Sequence, residues 1–354
     1  MKTLIVADDL TGALDSAVTF AGIGLRCTVA RRPADIPAAM ATAPDVLAVS
    51  TASREGSPDA ATCAVSHVFD AIGDRPMLVF KKVDSRLKGH CAAELGMVAA
   101  RTGIERAVVT PAIPAQGRAT QGGQLSGAGV ASPIDVTAIF AGAGVRVEVP
   151  DAATDADLDR VVAAAMCGDP VLLVGAAGLA AALARHLRPG ARPAPVRNLP
   201  APLLLAIGSR DPITLAQLDA LRTTGVGELP APDGRVDVPT GGLVDDALIL
   251  RLVAGSDPFD PKRANALFAA SISEIARSAN VGTLLACGGE TADAILGSLG
   301  VGILEVEGEA LPGVPVSSMV ADGRRARLVT KSGGFGAPDA LARIVTMTAD
   351  TGRD

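Results

Sequence analysis

Short apolar segments alternate with segments of helical periodicity along most of the chain. Residues 4–7 predict a strand and residues 12–21 the helix that follows it, and this order recurs up to about residue 347. Such alternation favours parallel sheets flanked by helices. Further strands are predicted at 46–50, 77–83, 107–110, 145–149, 171–174, 203–207, 283–287 and 327–330. Further helices are predicted at 92–101, 155–166, 179–187, 213–222, 262–278, 292–299 and 338–347.

A proline-rich segment interrupts this alternation. Residues 188–202 contain five prolines, and proline continues neither a helix nor a central strand. The sequence therefore predicts an N-terminal domain at 1–188, a linker at 189–202 and a C-terminal domain at 203–354. Each domain is expected to be a Rossmann-like α/β fold, with a mostly parallel sheet between helices. The length of 354 residues agrees with about two domains.

Composition excludes several classes of partner. The formal net charge is −6 and aromatic residues make up 2% of the chain, with no Trp or Tyr, so nucleic-acid binding is not expected. The longest apolar run, 171–184, is shorter than the roughly 18 residues that span a bilayer. The first residues indicate a strand rather than a signal peptide. The five cysteines form no CxxC pair, which favours a reduced, cytoplasmic protein without a membrane partner.

Charged residues follow two predicted strands of the N-terminal domain. Asp8 and Asp9 follow the first strand, and the loop 81–89 (KKVDSRLKG) follows the strand at 77–83. This loop holds three of the six lysines in a chain that otherwise uses arginine. Ligands of open α/β sheets bind at such strand ends, and a compact ammonium suits phosphates and carboxylates. An ordinary helix cap and a solvated charged turn remain the alternatives.

Three glycine-containing loops follow predicted strands of the C-terminal domain. They are 208–212 (GSRDP), 287–291 (CGGET) and 330–336 (TKSGGFG). Glycine allows the backbone to approach a ligand closely, and the N-terminus of a helix favours phosphate. Three such loops in one domain favour a nucleotide, although each alone is also an ordinary turn. No lysine follows a glycine, so there is no Walker A motif, and 22–27 (GIGLRC) does not complete a GxGxxG motif.

Together, five segments resemble the four-carbon acid sugar kinase family. They occur in the order of the family from residue 1 to about residue 345. The segments are 7–13 (ADDLTGA), 81–89 (KKVDSRLKG), 111–118 (PAIPAQGR), 288–291 (GGET) and 331–336 (KSGGFG).

The resemblance implies a two-domain kinase that uses ATP and Mg²⁺. The N-terminal domain would bind D-threonate, D-erythronate or a 3-oxo-tetronate, and the terminal C4 hydroxyl would be phosphorylated. The C-terminal domain would bind ATP. The substrate ligands implied by the resemblance are Asp9, Arg54, Lys81, Lys82, Asp84 and Ser85. The implied ATP ligands are Ser209, Gly288, Gly289, Glu290, Thr291, Lys331, Gly333 and Gly334.

Phosphoryl transfer depends on positioning and charge neutralisation. Lys82, with Arg86 or Lys88, is expected to meet the substrate carboxylate or the moving phosphoryl group. Asp84 is the expected catalytic carboxylate that orients or deprotonates the hydroxyl, and the sequence leaves Asp9 as the alternative. Closure around both ligands is expected to exclude water.

One segment departs from the family pattern. Residues 119–130 (ATQGGQLSGAGV) are shorter than their family counterpart and lack its His/Thr-Pro stretch, which bears on substrate choice. Two other functions stay open at this point. They are a nucleotide-dependent oxidoreductase on a doubly wound sheet and a non-enzymatic sugar-acid binding protein. The oligomeric state is also open, and a homodimer is one of the options.

Overall fold

The computed structural model describes residues 1–73, 78–236, 246–255 and 258–349. They divide into two compact units, Met1–Pro193 and Ala194–Asp354, and this division lies inside the proline-rich segment. Met77, the expected start of one strand, lies outside the described residues. No helix in the described ranges combines the length and apolar character that crossing a membrane requires.

The main sheet of the first unit is parallel in all of its described pairings. The strands of this unit are β1 Thr3–Ala7, β2 Cys27–Ala30, β3 Val46–Ser50, β4 Leu78–Lys82, β5 Arg106–Thr110, β6 Arg118–Gln121, β7 Gln124–Gly127, β8 Ile134–Asp135, β9 Arg146–Glu148 and β10 Leu172–Gly175. The order across the main sheet is β2-β3-β1-β4-β10-β5-β9. Strands β6, β7 and β8 form a separate, small antiparallel sheet.

Helices cover this sheet, and local sequence determines where several of them begin. Asp9 caps the first helix by accepting from the Gly12 N–H, and Ser57 caps the third with proline in its first turn. Both are preferred residues at these positions because the first N–H groups of a helix lack internal partners. The helices are α1 Leu10–Ala21, α2 Ile36–Ala41, α3 Pro58–Ile72, α4 Cys91–Thr102, α5 Val136–Ile139, α6 Asp155–Ala165 and α7 Ala177–Leu187, with 3₁₀ turns at Pro33–Asp35 and Pro114–Gln116.

The second unit has a mixed sheet that is parallel over most of its width. Its strands are β11 Leu203–Ile207, β12 Gly227–Pro232, β13 Ala247–Val253, β14 Thr283–Cys287, β15 Ile303–Leu311, β16 Val314–Ala321 and β17 Arg324–Lys331. Their order is β12-β13-β11-β14-β17-β16-β15, and only the β17-β16 and β16-β15 pairings described are antiparallel. The helices are α8 Pro212–Arg222, α9 Pro261–Ser278, α10 Gly289–Ser298 and α11 Ala340–Ala349.

The expected fold class, mostly parallel sheets flanked by helices, is confirmed. Several helix starts differ from the prediction. Helices α1 and α7 each begin two residues earlier than predicted, at Leu10 and Ala177. Helix α10 begins at Gly289, three residues before the predicted start at 292, because its glycine loop turns directly into the helix. Helix α11 begins at Ala340 rather than at Pro338, since the Ala340 N–H bonds to the Ala337 carbonyl in a tight turn before the helix.

Candidate functional site

The carboxyl ends of three adjacent strands bring an arginine and three aspartates together. Strand β1 lies between β3 and β4, and the residues after them are Asp8 and Asp9, Arg54, and Asp84. The Arg54 guanidinium donates from Nε and Nη2 to the two oxygens of Asp8 at 2.8 and 2.9 Å. Its Nη1 lies 2.9 Å from Asp9 Oδ2 and 3.7 Å from Asp84 Oδ1. Arg54 therefore organises the carboxylates.

The two adjacent aspartates differ in their electrostatics. Burial alone would raise the pKa of Asp8, but the hydrogen bonds from Arg54 and the charges of Lys81, Arg54 and Lys82 outweigh it, and the pKa is lowered. Burial raises the pKa of Asp9, despite the attraction of Arg54 and Lys82. Asp9 is thus the more basic of the two. Its Oδ1 also accepts the Gly12 N–H at 2.8 Å, which ties it to the start of α1.

The consecutive lysines at the end of β4 have different environments, as expected from the alternation of side chains along a strand. The Lys82 ammonium donates to the Val83 carbonyl at 2.8 Å. A Cβ at Gly12 would lie 2.8 Å from the Lys82 Nζ and 2.6 Å from Asp9 Oδ1. The Lys82 ammonium therefore lies over the first turn of α1, beside Asp9. Its position fits the expected binding of an anionic group.

Lys81, which was also expected to bind substrate, is fully buried. Its Nζ lies 2.6 Å from Glu94 Oε2 and donates to the carbonyls of Lys82 at 2.8 Å and Val6 at 3.3 Å. An ammonium has three donors, and these three acceptors satisfy them. The structure thus places Lys81 beneath the aspartate cluster, with no donor left over for a ligand.

Glu94 and Ser53 join this site, and neither is among the residues that the sequence predicts for it. Glu94 lies in the first turn of α4, where an acidic residue is common because it complements the helix dipole. Its Oε1 accepts the Ser53 hydroxyl at 2.5 Å, and the hydroxyls of Ser53 and Thr51 lie 2.7 Å apart. Three lysines in the preceding loop are a signal that a buried counter-ion is needed, but spacing alone does not identify which acid supplies it.

The loop after β4 holds Asp84 and Ser85 in fixed positions. Asp84 Oδ2 accepts the N–H groups of Arg86 at 2.8 Å and Lys88 at 3.4 Å. The hydroxyl of Ser85 accepts a hydrogen bond from Arg118 Nη1 at 2.8 Å. Arg118, at the start of β6, is a further residue that the site predictions did not include.

The three glycine loops of the second unit lie side by side. They follow β11, β14 and β17, which are consecutive neighbours in the sheet. The N–H groups of Gly208 and Ser209 donate to the Cys287 carbonyl at 3.1 and 3.2 Å, and Gly288 donates to the Lys331 carbonyl at 2.9 Å. The structure therefore brings the predicted nucleotide-binding loops together at one edge of this unit.

Glycine is required at several of these positions. A Cβ at Gly208 would collide with the Thr291 hydroxyl, and a Cβ at Gly333 would collide with the Ser209 hydroxyl. Gly288 has φ 112°, which L side chains rarely adopt, and it precedes α10 without a side-chain cap. The first N–H groups of α10 therefore lack the side-chain acceptor that usually satisfies them, which suits a phosphate oxygen.

Hydrogen bonds from polar side chains hold these loops in place. The buried Thr214 donates its hydroxyl to the Gly333 carbonyl at 2.7 Å, and Thr291 donates to Asn265 Oδ1 at 3.0 Å. The Lys331 side chain is buried, with its Nζ donating to the Ser332 carbonyl at 3.0 Å. Burial lowers the pKa of Lys331, in spite of the attraction of Cys287 and Asp211. By contrast, Glu290 is exposed on the first turn of α10.

This arrangement fits the phosphates of a nucleotide. The loops combine the uncapped N–H groups of α10, glycines that leave the backbone open to a ligand, and the Lys331 ammonium. Within the described ranges, no group of three or more His, Cys, Asp or Glu residues could hold a metal ion by itself. Mg²⁺ is usually held by substrate phosphates and one or two carboxylates. Asp211 and Glu290 are carboxylates in these loops.

Comparisons with known proteins agree with this division of roles. Residues 3–139 and 128–183 match the model of a sugar-binding N-terminal domain, and residues 254–341 match that of a nucleotide-binding C-terminal domain. A D-threonate kinase from Cupriavidus necator is 33% identical over 96% of each chain. A 3-oxo-tetronate kinase from Pseudomonas savastanoi pv. phaseolicola is 30% identical over 58% of this chain and 53% of its own.

A solved structure from Salmonella typhimurium LT2, described as a tRNA synthase, has a TM-score of 0.77. It is 19% identical and covers 97% of this chain and 98% of its own, so the likeness shows the fold alone. The paired domain matches and the named relatives define a kinase. The chain belongs to the four-carbon acid sugar kinase family. Kinase chemistry replaces the oxidoreductase and binding-protein alternatives.

Proposed function

We propose that this kinase transfers the γ-phosphoryl group of ATP to the terminal hydroxyl of a four-carbon sugar acid. D-Threonate is the first acid to test, because the D-threonate kinase aligns with 96% of this chain and the 3-oxo-tetronate kinase with 58%. The single observation that carries the proposal is the Arg54 cluster, which presents three carboxylates at adjacent strand ends of the unit that matches the sugar-binding model.

Asp84 is assigned as the carboxylate that orients and deprotonates the attacking hydroxyl. Both oxygens of Asp8 accept hydrogen bonds from Arg54. Asp9 accepts the Gly12 N–H on Oδ1 and faces Arg54 with Oδ2. Asp84 Oδ1 is 3.7 Å from its Arg54 neighbour and has no hydrogen bond among the described residues. It is the oxygen with most capacity for a substrate hydroxyl.

The other residues of the cluster have supporting roles. Arg54 lowers the pKa of Asp8 and holds the aspartates in place, and Asp9 accepts a second substrate hydroxyl. Lys82 offsets the negative charge of the transferring phosphoryl group, since its Nζ makes one hydrogen bond within the described ranges and an ammonium has three donors. Lys81 positions the end of β4 through Glu94 rather than binding substrate.

The nucleotide is proposed to bind at the three glycine loops of the second unit. Ser209, Gly288, Gly289, Thr291, Gly333 and Gly334 would surround the phosphates, and Lys331 would supply a positive charge. Asp211 and Glu290 would face Mg²⁺ or the ribose. Mg²⁺, when bound, neutralises the β- and γ-phosphates. The hydroxyl oxygen forms the new bond to the γ-phosphorus, the bond to ADP breaks, and Asp84 takes the hydroxyl proton.

Site-directed variants test this assignment. Asp84→Asn keeps the shape and removes the basicity, so we expect kcat to fall at least ~100-fold, the scale of general-base catalysis, with an unchanged KM for ATP. Asp9→Asn should mainly raise the KM for the acid. Asp59→Asn, at an exposed position in the first turn of α3, is the matched control. A wild-type kcat in Asp84→Asn would remove Asp84 from the catalytic role.

A further inference from the structure

The carboxylate cluster is poorly suited to the acid end of a sugar acid. The carboxyl groups of Asp8, Asp9 and Asp84 outnumber the cations beside them, Arg54 and Lys82. The nearby charge of Lys81 is paired with Glu94. Arg54 directs Nε and both terminal nitrogens at these aspartates. Such a cluster accepts hydrogen bonds from substrate hydroxyls and repels a substrate carboxylate. The substrate's carboxylate therefore needs a second, positive subsite.

Arg118 lies immediately beyond Asp84, on the small antiparallel sheet. Its Nη1 donates to the Ser85 hydroxyl at 2.8 Å and to Gln116 Oε1 at 2.9 Å, while Nε donates to the Ala128 carbonyl at 2.8 Å. None of these three partners carries a charge, and Nη2 has no hydrogen-bond partner among the described residues. Three hydrogen bonds thus hold the guanidinium, and no counter-ion contacts it in the part of the chain that the structure describes.

The surroundings of Arg118 are positive and only partly exposed to solvent. Burial and the nearby charge of Arg86 lower the pKa of Arg118, against the attraction of Asp84. Arg86 is exposed on the neighbouring loop. A half-buried guanidinium beside a second arginine binds an anion favourably, because the anion relieves their repulsion and restores a charged partner.

We propose that Arg118, aimed by Ser85 and assisted by Arg86, binds the carboxylate of the sugar acid. This inference rests on the proposed function and extends it to the recognition of the acid group. The terminal hydroxyl and the carboxylate of a four-carbon acid lie at opposite ends of the molecule. Binding of the carboxylate at Arg118 and of a hydroxyl at Asp84 thus fixes which hydroxyl is presented for transfer.

The backbone around Arg118 also links this subsite to the shortened segment. Arg118 Nε is held by the Ala128 carbonyl, and Ala128 belongs to residues 119–130, which depart from the family pattern. A Cβ at Gly127 would collide with the Gly117 carbonyl, so these two turns pack directly on each other. The turn at Gly127 and Ala128 therefore holds one nitrogen of the guanidinium in place.

Steady-state kinetics with D-threonate, and inhibition by the uncharged polyol D-threitol, test the subsite. A hydrogen bond to a charged group contributes about 1.5–3 kcal/mol. Arg118→Met should therefore raise the KM for D-threonate roughly 10- to 100-fold with a smaller change in kcat. The inhibition constant of D-threitol and the KM for ATP should stay within about twofold. Arg106→Met is the matched control, since Arg106 lies at the start of β5 and pairs with Glu148.

Each result decides between alternatives. An unchanged KM for D-threonate in folded Arg118→Met overturns the subsite, and so does an equal loss of D-threonate and D-threitol binding. If Arg118→Met does not fold, Arg118→Lys and Ser85→Ala replace it. Each should raise the KM for D-threonate several-fold, and unchanged values in both overturn the proposal. If the wild type neither binds nor phosphorylates any four-carbon acid, the proposed function itself fails. If the wild type is active and the Arg118 variants behave like it, the carboxylate subsite alone fails.

Discussion

The Lys81 ammonium and the Glu94 carboxylate form an ion pair of 2.6 Å in which the two side chains are 0% and 1% exposed. Burial lowers the pKa of Lys81, but the charges of Glu94 and Asp8 outweigh it, and the pKa is raised. The Ser53 hydroxyl also donates to Glu94. Since Ser53 directly precedes Arg54, this hydrogen bond connects the ion pair to the carboxylate cluster. The carboxylate cluster therefore rests on the buried Lys81 ammonium, whose charge is balanced by Glu94.

Glu94→Gln should strongly destabilise the first unit. It leaves the Lys81 ammonium buried without its counter-ion, which costs about 3–5 kcal/mol in comparable cases. Urea unfolding measures the loss, and the double variant Lys81→Met/Glu94→Gln should recover part of it. Asp70→Asn is the control, because Asp70 pairs with Arg101 at the surface, where a pair contributes at most about 1 kcal/mol. A loss below about 1 kcal/mol for Glu94→Gln would contradict the role of the pair.

The cysteines should fall into two classes of reactivity. Cys27, Cys91 and Cys287 are buried, whereas Cys63 and Cys167 are exposed. Burial raises the pKa values of Cys27 and Cys91 to about 12. A colorimetric thiol reagent at pH 8 should thus detect two thiols in the native protein and five after denaturation. Rapid labelling of Cys91 in the native state would show that α4 does not pack as described.

Gly333→Ala should weaken nucleotide binding selectively. The added methyl group collides with the Ser209 side chain, so the loops after β11 and β17 must separate. We expect the KM for ATP to rise at least ~10-fold, about 1.4 kcal/mol, while the affinity for the sugar acid is unchanged. Gly300→Ala is the control, since it strains a residue at φ 69° but meets nothing within 4 Å. Equal effects of the two variants on ATP would argue against the assigned loops.

ATP affinity should depend on pH through Lys331. Its pKa is lowered mainly by burial, and the protonated form is the one that attracts phosphate. Affinity should therefore be full below this lowered pKa and lost as the pH rises through it, below the ordinary lysine value of about 10.4. Calorimetry in buffers of different ionisation enthalpy should detect proton uptake on binding in this range. Lys331→Met should bind ATP weakly at all pH values and remove the uptake.

The exposed Lys262, in the first turn of α9, gives the control for that experiment. Lys262→Met should keep both the affinity and the proton uptake of the wild type. Proton uptake that persists in Lys331→Met would assign the titration to another group.

The ends of strands such as β1 and β4 could be predicted from the sequence to within about one residue. Their apolar runs are followed directly by Asp, Lys or Gly, which are uncommon inside a buried strand. Asp9, Asp84 and Lys82 were proposed as site residues from their places at strand ends, and their roles stay predictions. The different environments of Lys81 and Lys82 could not be assigned, since alternation along a strand does not tell which face packs against α4. Glu94 and Arg118 are absent from the predicted site because each contacts it through a residue distant in sequence, Ser53 for Glu94 and Ser85 for Arg118.

Two consecutive hairpins explain what was missed in the second unit. The strands of the β15-β16 hairpin pair antiparallel next to β17, although the surrounding alternation predicts parallel strands. Strand β17 was predicted at 327–330, whereas it spans Arg324–Lys331. Its first residues are charged, and cross-strand pairing with β16 extends the strand beyond its apolar part.

The most direct test of the central claim is product analysis with D-threonate, ATP and Mg²⁺, followed by ³¹P NMR and coupled ADP detection. The proposal predicts one ADP per phosphorylated acid, with the phosphate on the terminal C4 hydroxyl, and loss of both products in Asp84→Asn. D-Erythronate and 3-oxo-tetronates are tested in parallel. ADP formation without a phosphorylated acid, or no turnover with any of these acids, would contradict it.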